Sequence, residues 1–140
     1  MPTSSHLLAS ALVVDSDGSR VLLCRDPRVG RWGPVGGHVG GAETLTAAVQ
    51  RVLAEATGLT RVRVVEPHLA VVQDVVPCPA AAGSVRHVDH LFVVVADPAD
   101  PLTPEPGAAV AWFGLDALPD PLVPGIGMHL RAAARTMATQ

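Results

Sequence analysis

The chain has 140 residues, close to the common size of one domain and too short for two typical ones. Ten Lys and Arg against thirteen Asp and Glu leave a formal charge of −3. No basic run could neutralise a series of phosphates, so a nucleic-acid polymer is excluded as an expected partner.

The first apolar run, Leu7 to Val14, lacks a basic leader and is too short to span a bilayer, so it reads as a strand and excludes a membrane partner. It is followed by Asp15-Ser16-Asp17-Gly18-Ser19, a cluster of turn formers, and by a second apolar run, Val21 to Cys24. Together these predict a β-hairpin. Asp26 to Gly41 is rich in Gly and Pro and cannot be a helix interior; it reads as an ordered loop with one short strand. From Leu45 the period changes. Leu45, Ala48, Val49, Val52, Leu53 and Ala56 form one helical stripe, with Thr44 placed to cap its start and Gly58 to close its end.

Val62 to Val65, Leu69 to Val76 and His90 to Ala96 are short β-branched runs between Pro- and Gly-rich joints, which suits a mixed sheet. Pro77 to Ser84 reads as a surface loop. Asp97 to Gly107 carries four prolines and reads as a loop feeding a last strand, Ala108 to Phe113. Gly125 to Ala138 is the terminal helix, with Met128, Leu130, Ala134 and Met137 as its expected inward residues. The two cysteines, Cys24 and Cys78, lie far apart and form no pattern of zinc-site spacing, so they are expected to be reduced, packed thiols in a cytoplasmic protein.

The segment from Gly37 to Leu59 carries the chemistry. Gly37, Glu43, Arg51, Leu53, Glu55, Gly58 and Leu59 stand at the spacing of the Nudix pattern: Gly, five residues, Glu, seven residues, then Arg-Glu-apolar-any-Glu-Glu-any-Gly-apolar. Gly36 and Trp32 suit it as well. The chain therefore resembles the Nudix hydrolases over this segment, and it departs from them at Val52 and Ala56, where a Glu is expected. The resemblance implies the α/β Nudix fold, an α/β/α sandwich with a mixed, curved β-sheet. It also implies Mg²⁺- or Mn²⁺-dependent hydrolysis of a nucleoside diphosphate linked to another group.

The physical need behind the pattern is plain. Positions i, i+3 and i+4 of a helix share a face, so carboxylates at the places of Val52, Glu55 and Ala56 would converge on magnesium, which wants hard oxygen ligands. Here only Glu55 remains, joined by the Gly37 carbonyl that the resemblance assigns as a ligand. Glu43 and Arg51 are implied to form an ion pair tying the loop to the helix. With so thin a set, the ion is expected to bind weakly, or not at all, until substrate is present.

Other residues have plainer roles set against their functional ones. Glu55 could be a solvated partner of Arg51 one turn earlier. Gly36 and His38 are candidates to touch substrate, the latter balanced against a loop histidine. His87, Asp89 and His90 suggest a metal, with His87 and Asp89 on one strand face, yet strand-edge polarity is the favoured reading. Glu105 and Asp89 are the candidates for an additional ligand or base. Trp32 and Trp112 read as packing residues. Three functions stay open: an attenuated hydrolase, which is favoured; a diphosphate-binding module without turnover; and a structural domain, for example a homodimer.

Overall fold

The computed structural model describes residues 4–78 and 83–140. Strands β1 (Ser4–Val14), β2 (Arg20–Arg25), β3 (Trp32–Gly33) and β4 (Val35–His38) precede helix α1 (Leu45–Thr57). Strands β5 (Arg63–Pro77), β6 (Ser84–Val95) and β7 (Ala109–Gly114) follow, and helix α2 (Ile126–Ala138) ends the order. The first hairpin closes on Asp15, whose carbonyl accepts from Gly18 N at 3.0 Å while its Oδ1 accepts from Arg20 N at 3.1 Å. Gly18 takes a positive φ of 75°, which glycine adopts without steric cost.

All seven strands belong to one mixed sheet with the path β3-β2-β1-β6-β5, β4 pairing with β1 and β7 with β2. β1 runs parallel to β6 along its whole length, Ser4 opposite Val85 through Val14 opposite Val95. Its other edge serves β4 at Leu8 to Ala11 and β2 at Val13 and Val14. Side chains alternate across a strand, so β1 feeds two cores. Ala9, Ala11 and Val13 pack with Ala48, Val49, Val52 and Leu53 of α1. Leu12 and Val14 pack with Ile126, Leu130 and Ala133 of α2. The result is the helix–sheet–helix sandwich.

Strands β5 and β6 and helix α2 differ from expectation in extent or facing. The runs from Val62 and Leu69 are one strand, β5, interrupted by an irregularity between Val65 and Ala70, where Pro67 cannot donate to the ladder. β6 begins at Ser84 instead of His90, because its polar first half is paired on both edges. The expected Pro77 to Ser84 loop is narrower, with Pro77 and Ser84 in register opposite each other; positions 79–82 lie outside the described residues. In α2 the buried stripe is Ile126, Leu130 and Ala133, with Met137 packed beside it, while Met128 is 58% exposed and Ala134 faces solvent. The helix starts with Ile126 already inward, which turns Met128 out.

Candidate functional site

Two local features set the site: the glycine strand β4 and the start and end of α1. Thr44 Oγ1 accepts from Ala47 N at 3.1 Å, capping the helix, and Gly58 closes it at φ 81° with its N–H on Ala54 O. Along β4, Val35 and Gly37 face α1, and Gly36 and His38 face the opposite side of the sheet. Gly37 lies directly on Val52. A Cβ at Gly37 would come within 3.0 Å of Val52 Cγ2.

Arg51 is the hub between loop and helix. Its Nε donates to Glu43 Oε2 at 2.7 Å and its Nη2 to Glu43 Oε1 at 2.9 Å. The same Nη2 donates to the His38 carbonyl at 2.8 Å, and Nη1 donates to Glu55 Oε1 at 2.6 Å. Glu43 Oε1 also accepts from Gly40 N at 2.7 Å. The Arg51 hydrogen bonds, then the Gly40 N–H, hold the Glu43 carboxyl down to about 2, and the two carboxylates push the Arg51 guanidinium up.

Gly37, Glu55, Ala56 and Glu105 line one cavity of about 190 Å³. A neighbouring cavity of about 350 Å³ shares Gly36, Ala56 and Glu105 with it and adds Asp26, Arg28 and Arg31. Glu105 reaches α1 because its loop is stitched to the helix end. Thr103 N donates to Thr57 O at 2.8 Å, and Leu102 packs into the α1-side core. Val52 is 7% exposed, packed in the core beneath Gly37 and touching only the smaller cavity, whereas the half-buried Ala56 lines both cavities.

Asp89 and the His38 ring lie on the other face of the sheet. Asp89 lines neither cavity; it faces the α2 side of the sheet, where Ser10 Oγ donates to its carboxylate at 2.8 Å. Burial pushes the Asp89 carboxyl up, with the Ser10 hydrogen bond opposing. His38 borders the smaller cavity, where its carbonyl meets Arg51, but its ring turns away to place Nε2 3.7 Å from Cys78 Sγ. Burial, then His87 and His6, pull that imidazole down. Sequence reasoning missed Arg28 and Arg31, whose loop has no periodicity to orient them. It also missed the grouping of His6 and Cys78 with His38 and His87, drawn from four separate segments.

A family model described as NUDIX domain matches residues 5–132. Among curated proteins no sequence matches the chain significantly. Among solved structures, a MutT NUDIX hydrolase from Burkholderia pseudomallei superposes with a TM-score of 0.69 at 26% identity, covering 92% of this chain and 98% of that one. A NUDIX-family hydrolase from Clostridium perfringens superposes with a TM-score of 0.73 at 18% identity, covering 96% of this chain and 97% of that one, a likeness of fold. With the glycine strand, the Arg51 hub and the two-faced sheet in place, and a domain model matching nearly the whole length, the chain belongs to the Nudix family.

Proposed function

We propose that this protein hydrolyses the diphosphate bond of a nucleoside diphosphate linked to another group, with a metal site reduced from the family pattern. One observation carries the reading. Glu55 on α1 and Glu105, fifty residues on in the loop before β7, line the same cavity beside Gly37, and that cavity adjoins a larger one carrying Arg28 and Arg31. Two carboxylates and a strand carbonyl are hard oxygen donors, a set that fits Mg²⁺ or Mn²⁺. Glu55, Glu105 and the Gly37 carbonyl would hold the ion, the substrate's own phosphate oxygens and water supplying the rest of its shell. When bound, such an ion offsets charge on the leaving phosphoryl group and lowers the pKa of an attacking water.

The chain's own residues supply the rest. Arg31 brings positive charge to the larger cavity, where a diphosphate-linked group would lie, and Arg28 stands beside it paired with Asp26 at 2.9 Å. Arg51 orients Glu55 through the 2.6 Å hydrogen bond and fixes the glycine strand through His38 O. Glu105, on an exposed loop, is the carboxylate that would bring the ion and its water to the diphosphate. A cytoplasmic setting, where nucleotides and Mg²⁺ abound, accompanies this reading.

The second reading, a diphosphate-binding module, is favoured by Val52: its burial means that one family ligand position has become core. Turnover of a panel of nucleoside diphosphate derivatives with Mn²⁺ separates the two. Release of a nucleoside monophosphate supports hydrolysis. Saturable binding of the same compounds with no product would overturn it in favour of the module.

A further inference from the structure

On the side of the sheet away from α1, His6 of β1, His38 at the end of β4, Cys78 just beyond β5 and His87 of β6 converge, one ligand atom from each lying within 4.8 Å of all the others. We propose that these four side chains form a closed tetrahedral site for a borderline-soft divalent transition ion of the zinc class, separate from the oxygen-lined cavity on the other face.

The geometry is close to that of a loaded site. Zinc–nitrogen bonds of about 2.0–2.1 Å and zinc–sulfur bonds of about 2.3 Å give a tetrahedron of three nitrogens and one sulfur with edges of roughly 3.3–3.6 Å. Cys78 Sγ already stands 3.7 Å from His6 Nδ1 and 3.7 Å from His38 Nε2. The three rings are mutually adjacent, with centroids 5.2, 5.9 and 5.3 Å apart. With every ligand atom within 4.8 Å of the others, no pair needs to close by more than about 1.5 Å.

Burial supplies an independent reason. His87 Nε2 is a buried polar atom with no hydrogen-bond partner among the described residues, and Cys78 is 5% exposed. An unpaired buried ring nitrogen costs free energy. A shared ion satisfies it together with the thiolate and the other two rings. The donor set excludes Mg²⁺, which prefers oxygen, and suits Zn²⁺ or Co²⁺. Four protein ligands leave no open position, so the role is structural: the ion ties β1, β4, β6 and the end of β5 at one edge of the sheet, and so braces β4 with its Gly36-Gly37 stretch.

The test is a Co²⁺ titration of the full chain, stripped with chelator and kept reduced. Expected are one equivalent bound, a thiolate-to-cobalt charge-transfer band in the near ultraviolet, the strong visible bands of tetrahedral cobalt, and displacement of all of these by Zn²⁺. Cys78→Ser removes the charge-transfer band. His87→Gln weakens binding at least roughly tenfold, and gives a second readout should the first variant fold poorly. Glu55→Gln, on the opposite face, leaves the spectrum unchanged. Zn²⁺ also raises Tm in the parent, and by less in His87→Gln at the same concentration. A pale octahedral spectrum, or one insensitive to Cys78→Ser and His87→Gln, would overturn the assignment.

Discussion

Arg51 shows how much one side chain can organise, and its pairing makes a pH prediction. Glu43 is depressed from an ordinary 4.5 to about 2, so the stability from this pair is fully present above about 4.5 and is lost as pH falls towards 2. Arg51→Ala should lower Tm at neutral pH and flatten the acid-side slope of Tm between those values. Identical melting curves across that range would contradict the role. Gly58 makes a second prediction at this scale. At φ 81° a Cβ would stand 2.0 Å from Thr103 Oγ1, so Gly58→Ala combines backbone strain with a collision. It should cost roughly 1–3 kcal/mol in denaturant unfolding. A neutral Gly58→Ala would mean that the Thr103 loop is not seated on the helix end.

At the scale of elements, α1 was the most legible part of the sequence, and its two altered positions have separated. The stripe and both caps are local signals, so Thr44, Leu45 and Gly58 could be read without the rest of the chain. β5 was read as two runs because Pro67 divides it, and β6 was only half legible because Arg86 and His87 interrupt its apolar run. These residues lie towards the strand ends, where Val71, Val72 and Val75 are themselves 44%, 41% and 53% exposed, so alternation no longer reports a core. Within α1, Val52 and Ala56 differ in a way periodicity could not reveal. Val52→Glu places a carboxyl beneath Gly37 and should destabilise by roughly 2–4 kcal/mol. Ala56→Glu points at the cavities; it should fold like the parent and raise Mn²⁺-dependent turnover roughly tenfold or more, as one added charge-stabilising ligand would. Equal Tm losses in the two variants would contradict the division of core from wall.

For the whole molecule, the sandwich was legible through the motif, but which of the candidate side chains share a face of its sheet was not. Glu105 joins Glu55 only because the loop before β7 folds back on α1. Asp89 was set beside it as an alternative ligand, yet strand alternation turns Asp89 to the other face. The sequence groups His87 with its neighbours Asp89 and His90, while its ring contacts are with His6 and His38, which the parallel β1–β6 pairing and the antiparallel β1–β4 pairing bring in. Such neighbours depend on register between distant strands, for which a single sequence carries no local signal. The oxygen-lined side should bind Mg²⁺ feebly in the free protein, since few protein ligands leave most of an octahedral shell to water. Calorimetry should show little heat, and a micromolar Mg²⁺ site would contradict that. The most direct measurement is kcat for Mn²⁺-dependent diphosphate hydrolysis in Glu105→Gln, an exposed-loop variant that should leave Tm unchanged. A fall of roughly a hundredfold is predicted for a carboxylate that acts on the water or the ion, and an unchanged kcat would contradict a catalytic site between α1 and the loop before β7.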